Sequence, residues 1–129
     1  MVRVEHVAVW TADLERLRAF YERHFGARAG ARYESATRAG FVSYFLTFPG
    51  GGARLELMTL DGLSAAPPAP ARGYAHLALT VGAEAEVDAL VARLRAEGVP
   101  VLSGPRRTGD GYYEAVVQDP DGNPVEITA

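Results

Sequence analysis

Four residues at matched positions carry the chemistry open to this chain. His6 and His76 are seventy residues apart, and so are Glu56 and Glu126. Cysteine is absent, which excludes disulfides, thiolate ligands and thiol nucleophiles. Two neutral imidazoles and two carboxylates suit one borderline divalent cation: Zn²⁺, Ni²⁺, Co²⁺, Fe²⁺ or Mn²⁺. Without a cation, two carboxylates in a low-dielectric cleft repel, and one must hold a proton. Four protein ligands in a six-coordinate shell leave two positions for water or substrate. An oxygen polarised there, beside a displaceable Glu, is a proton-transfer site. The competing reading is that all four are solvated residues on an exposed sheet face.

The seventy-residue offset runs beyond these four. Glu5-His6-Val7-Ala8-Val9 resembles Ala75-His76-Leu77-Ala78-Leu79, and Leu55-Glu56-Leu57 resembles Val125-Glu126-Ile127. A unit seen twice is a duplication, since a solenoid needs at least three repeats. The modules are expected over about 1–60 and 73–129, within one domain spanning 1–129. The Ala- and Pro-rich segment 61–72 joins them as an extended linker.

Each module reads as β-α-β-β-β. In the first, strands are expected over 3–10, weakly over 28–34, then over 41–48 and 54–60. Its helix is expected over 13–25, with Leu14, Leu17, Tyr21 and Phe25 on one face, Thr11 or Asp13 as cap and Gly26 as stop. Pro49-Gly50-Gly51-Gly52 is a hairpin turn; a strand and not a helix follows it, so it is no phosphate cradle. In the second module, strands are expected over 74–81, 99–103, 112–118 and 124–128. A helix over 84–97 buries Val87, Leu90, Val91 and Leu94, and 104–111 is a polar loop. The fold class is therefore α+β, with helices on one sheet face. Strand alternation sends Val7, Val9, Leu55, Leu57, Leu77, Leu79, Val125 and Ile127 toward the helices, and His6, Glu56, His76 and Glu126 to the other face.

Composition narrows the partners. A chain of 129 residues with 48% apolar content can bury a core without staples. Thirteen basic residues, all Arg, face sixteen acidic ones, so the basic excess of a nucleic-acid binder is missing. No apolar run is long enough to span a membrane, and the first residues lack a signal-peptide pattern, so a cytoplasmic protein acting on a small molecule is expected.

The sequence resembles the glyoxalase/bleomycin-resistance/dioxygenase superfamily, also called the vicinal oxygen chelate superfamily. The resemblance rests on His6-Val7-Ala8-Val9 with Asp13-Leu14 and Phe20-Tyr21 to Phe25-Gly26, on Gly73 to Leu79, and on Asp119-Pro120-Asp121-Gly122-Asn123-Pro124-Val125-Glu126-Ile127. It implies paired βαβββ modules whose sheets curve around a metal cleft, and a homodimer whose sites are completed by strands of both chains. Glyoxalase I uses His or Gln, then Glu, His and Glu at these strand positions, matched by His6, Glu56, His76 and Glu126. The dioxygenases and fosfomycin-resistance enzymes use a His-His-Glu triad and require no carboxylate where Glu56 stands; bleomycin-binding members need no metal. The resemblance makes Glu126 the first candidate for the base that shuttles a proton, and Glu56 the second.

Two positions depart from the glyoxalase I pattern. Trp10 stands where that family has an Arg that grips a glutathione carboxylate, and Leu60 where it has an Asn. A pocket lacking those groups loses that substrate, so a more apolar ligand is expected against Trp10, Met58 and Leu60, with Arg106 and Arg107 meeting an anionic group. Packing is the competing role for Trp10 and Met58, and solvation for Arg106 and Arg107. The function expected is a metal-dependent glyoxalase-like lyase or isomerase. The alternatives are a non-catalytic antibiotic-binding protein, with Trp10, Phe41, Tyr44, Tyr112 and Tyr113 in an aromatic groove, or a dioxygenase. His24 is expected at the surface or half-buried.

Overall fold

In the computed structural model the structure describes residues 1–68 and 70–129. Ala69, in the expected joint, lies outside the described residues. The chain divides into two compact units, Met1–Ala66 and Pro67–Ala129.

In unit 1, strand β1 (His6–Trp10) leads to helix α1 (Leu14–Phe25). The Asp13 carboxylate caps α1 by accepting from the Arg16 backbone N–H at 3.0 Å. Gly26, at φ 66°, supplies the left-handed stop. Two short strands follow, β2 (Arg28–Ala29) and β3 (Tyr33–Glu34), then β4 (Val42–Thr47) and β5 (Arg54–Thr59). The sheet order is β1-β5-β4-β2, with β3 also on β4; β1 runs parallel to β5, and β4 antiparallel.

Unit 2 repeats this topology. Strand β6 (Leu77–Thr80), helix α2 (Glu84–Ala96), β7 (Val101–Arg107), β8 (Tyr113–Gln118) and β9 (Pro124–Thr128) give the order β6-β9-β8-β7. Here β6 is parallel to β9, and β8 antiparallel to it. The Glu86 carboxylate accepts from the Ala83 N–H at 2.9 Å, half of a capping box, because alanine has no oxygen to reciprocate.

Each helix covers one face of its own sheet. Leu17, Leu46, Leu55 and Leu57 have at most 1% of their surface exposed, as do Val87, Val91, Leu94, Val117, Val125 and Ile127. The expected apolar face is thus buried along the central strands β5 and β9. It is only half-buried at Val7, Val9, Leu77 and Leu79, because β1 and β6 lie at sheet edges. Leu90 and Phe25 are also half-buried; Phe20 and His24 take the buried places on α1, their rings 4.9 Å apart. His24 is therefore buried, against the surface or half-buried position expected.

Other expectations need correction. Strand β1 begins at His6, not at residue 3, and β6 at Leu77, not at 74. The weak strand over 28–34 is two fragments. The largest difference is β7, which continues through Gly104 and Pro105 to Arg107, where a polar loop was expected. Register shifts fall between Val101 and Ser103, at Leu102, and between Ser103 and Arg106, where the Gly104-Pro105 pair admits one extra residue.

Leu17 is the anchor of α1. Leu17→Ala is expected to destabilise the protein by about 2–5 kcal/mol, the range for truncating a buried leucine, measured by urea unfolding.

Candidate metal centre

The pleat of the two central strands sets the positions of both carboxylates. Leu55 and Leu57 are buried, so Glu56 between them points to the face opposite α1. Its side chain is only 14% exposed. Parallel pairing places Ala8 opposite Glu56, and His6, two residues earlier, shares that face. The His6 Nε2 stands 3.5 Å from a Glu56 carboxylate oxygen.

Unit 2 builds the same pair. Val125 and Ile127 are buried, Ala78 lies opposite Glu126, and His76 sits two residues before Ala78, just ahead of β6. The His76 Nε2 is 3.1 Å from a Glu126 oxygen, and the Glu126 side chain is 17% exposed. In each unit a ring nitrogen faces a carboxylate oxygen, an arrangement that favours a proton or a cation between them. Among the described residues no three His, Cys, Asp or Glu side chains gather to hold a metal ion. Each unit brings one imidazole and one carboxylate together.

The surroundings of the pairs differ. In unit 1, Phe45 lies opposite Glu56 and meets the His6 ring edge-on at 5.2 Å. The Glu5 carboxylate pairs with His6 Nδ1 and accepts from Arg54 Nε at 2.9 Å. Those hydrogen bonds, from His6 first and Arg54 second, hold the Glu5 carboxyl below its ordinary range. Arg54 also stacks over Phe45, its guanidinium carbon 4.2 Å from the ring centre. In unit 2, the β8–β9 register puts Glu114 opposite Thr128, two pairs along from Val116 and Glu126 and therefore on the same face. A hydrogen bond to Glu126, then burial, pushes the Glu114 carboxyl up.

The turn before Glu126 is tightly tied. The Asp119 carboxylate accepts from the backbone N–H groups of Asp121 and Asn123, each at 3.0 Å, and from the Asn123 side-chain amide at 2.9 Å. Gly122 takes φ 81° there.

The expected substrate residues fall in different places. Trp10 and Met58 are opposite each other on the His6–Glu56 face; Trp10 is 43% exposed. Leu60 is half-buried just past β5. Arg106 pairs across from Glu114, on the Glu126 face. Arg107 is opposite Tyr113 on the helix side and is ion-paired with Glu84 of α2. Tyr44 is buried beneath α1, its hydroxyl donating to Glu15 at 2.7 Å, and the Tyr113 hydroxyl donates to Asp88 of α2 at 2.6 Å. Neither of these tyrosines shares the site face. Sequence reasoning missed Glu5, Arg54 and Glu114. Arg54 carried a signal, since it stands two residues before Glu56 on the same strand face.

The glyoxalase/bleomycin resistance protein/dioxygenase superfamily model matches residues 3–127. The chain belongs to this superfamily. No curated protein matches it. Among solved structures it is similar to a superfamily domain from Frankia sp. EAN1pec, at 20% identity and TM-score 0.83, covering 99% of this chain and 91% of that one. It is also similar to the trypanothione-dependent glyoxalase I of Leishmania major, at 25% identity and TM-score 0.79, covering 99% and 86%. A third neighbour is lactoylglutathione lyase from Agrobacterium tumefaciens, at 26% identity and TM-score 0.69, covering 97% and 91%. The βαβββ duplication is thus the architecture of a superfamily member. No helix is long and apolar enough to cross a membrane among the described residues.

The Glu114–Glu126 contact has a pH consequence. The folded protein raises the Glu114 carboxyl above its reference value of 4.5. Ionising it costs stability as pH rises through the folded value, and costs nothing below 4.5. Glu114→Gln is therefore expected to raise the Tm of metal-free protein at neutral pH, with the gain fading as pH falls toward 4.5 and absent below it; thermal melts across pH check this.

Proposed function

We propose that the protein is a divalent-metal-dependent, glyoxalase I-like lyase or isomerase whose metal ligands are His6, Glu56, His76 and Glu126. The observation that carries this reading is the duplicated pair, an imidazole Nε2 facing a carboxylate oxygen at 3.5 Å in one unit and 3.1 Å in the other. The donor chemistry fits a borderline cation such as Zn²⁺, Ni²⁺, Co²⁺, Mn²⁺ or Fe²⁺. Two donors per unit are too few for a firmly held ion, so the reading requires both pairs. The neighbours named glyoxalase I and lactoylglutathione lyase support the reaction class.

When bound, the metal supplies Lewis-acid polarisation of a substrate oxygen. The remaining work falls to the chain. A carboxylate oxygen of Glu126, or of Glu56, takes the proton from the carbon next to that oxygen and returns it to the neighbouring carbon. Glu126 is the stronger candidate by resemblance. Glu114 is a second carboxyl on the same sheet face, two register pairs from Glu126. On the unit 1 face, Trp10 and Met58 present apolar surface, which suits a substrate other than a standard glutathione adduct. Arg106, exposed on the Glu126 face, is placed to meet an anionic group; Arg107, engaged with Glu84, is not. A homodimer with shared sites is the assembly this reading expects, and sedimentation measures it.

A second reading, a non-catalytic small-molecule binder, draws on one aromatic cluster. The Trp10 and Phe41 rings are 6.1 Å apart, Tyr33 is 6.1 Å from Phe41, and the Arg38 guanidinium lies 5.5 Å from both the Trp10 and Phe41 rings. Elemental analysis separates the readings. Protein purified without chelator, or loaded with Ni²⁺, Co²⁺ or Zn²⁺, is expected to retain metal, and Glu126→Gln to weaken metal binding. With a substrate in hand, Glu126→Gln is expected to lower kcat by at least about 100-fold, the lower end for a lost general base. Protein that takes up no metal favours the binder; full activity in Glu126→Gln removes that residue from the mechanism.

A further inference from the structure

The two histidines are not equivalent. Glu5 precedes His6, whereas Ala75 precedes His76 at the matching position. The Glu5 carboxylate meets His6 Nδ1, and Arg54, opposite His6 in the β1–β5 register, binds that carboxylate through Nε at 2.9 Å and also through Nη2. We propose that Glu5 is a positioning residue for His6: its carboxylate, braced by Arg54, holds the Nδ1–H, so that Nε2 is the bare nitrogen turned toward Glu56. This rests on the reading of His6 as a metal ligand.

An ionised carboxylate only accepts hydrogen bonds, so a nitrogen bonded to it carries the proton; Glu5 makes that bond to Nδ1, whereas the Glu56 oxygen, 3.5 Å from Nε2, lies beyond normal hydrogen-bond length. In a neutral imidazole the other nitrogen is then the lone-pair donor. Metal-bound histidines commonly have such an outer carboxylate, which fixes the tautomer, aims the ring and raises its basicity. Arg54 is held in turn. Its guanidinium is stacked on Phe45, whose ring edge also meets His6, so one aromatic side chain buttresses both ends of the chain Arg54–Glu5–His6. The Glu5 and His6 side chains are 55% and 39% exposed. The ion pair therefore adds little to stability, and its consequence lies in ring orientation and tautomer.

The test uses the full chain, with Zn²⁺ as the probe. In metal-free protein at about pH 8, above the ordinary imidazole range, ¹⁵N NMR is expected to show His6 as the Nδ1–H tautomer. Glu5→Ala is expected to shift His6 toward a mixture of tautomers and to leave His76 unchanged. Competition with a chromophoric chelator is expected to show Zn²⁺ bound about 10- to 100-fold more weakly by Glu5→Ala, the usual effect of losing an outer-sphere partner. Arg54→Met should weaken binding in the same direction by less. Should His6→Ala impair Zn²⁺ binding while Glu5→Ala keeps the parent tautomer and affinity, the role of Glu5 is overturned and the ligand reading stands. Should the parent protein bind no Zn²⁺, or His6→Ala bind it unchanged, the ligand reading fails and takes the role of Glu5 with it.

Discussion

Everything at the candidate site depends on how a central strand is held. Strands β5 and β9 each lie between a parallel neighbour and an antiparallel one, with a helix across one face. Leu55, Leu57, Val125 and Ile127 are buried to within 1% under those helices. A slip of one residue would drive Glu56 or Glu126 among the buried leucines and valines, and an unpaired charge there costs several kcal/mol or more. Hydrophobic burial on one face therefore decides where the carboxylates stand on the other. The imidazoles follow from the parallel partner, because His6 and His76 each sit two residues before the alanine opposite the carboxylate. Alanine at that place leaves the carboxylate uncovered by its cross-strand neighbour.

The duplication kept this backbone arrangement and let its surroundings diverge. Each unit places one histidine, two glutamates and one arginine together: His6, Glu56, Glu5 and Arg54 in the first, and His76, Glu126, Glu114 and Arg106 in the second. The extra acid attaches at opposite ends of the pair. In unit 1 it holds the imidazole, and its own carboxyl is pushed down by that contact. In unit 2 it shares the face of the carboxylate, which pushes its own carboxyl up. The same count of charges thus orients the nitrogen donor of one unit and crowds the oxygen donor of the other.

What the amino-acid sequence made legible follows a period. Alternation along 55–57 and 125–127, together with the seventy-residue offset, identifies the four polar residues and, within each unit, the face its pair shares, without any knowledge of pairing. Helix α1 was readable from its apolar spacing and from Asp13 and Gly26. Strand β7 was not, because Gly104 and Pro105 have the composition of a loop while the strand absorbs them as irregularities. That misreading also hid the separation of Arg106 from Arg107, which alternate across a strand instead of sharing a loop. The bond from Arg54 to Glu5 was beyond local reading. The two are forty-nine residues apart and meet only because β1 and β5 pair in parallel at one register.

The β1 face bears on what kind of molecule the unit can meet. His6, Ala8 and Trp10 point the same way. At about 3.3 Å per residue, the first and last are on the order of 13 Å apart. The His6 end is crowded with charge, from Glu5, Arg54 and Glu56. The Trp10 end is apolar, with Met58 opposite and Phe41 edge-on at 6.1 Å. Arg38, 5.5 Å from the Trp10 ring, is the cation at that end. A guanidinium over an aromatic face still keeps its edge for hydrogen bonding. A ligand lying along β1 would meet charged groups at the His6 end and aromatic and aliphatic surface, with one guanidinium, at the Trp10 end.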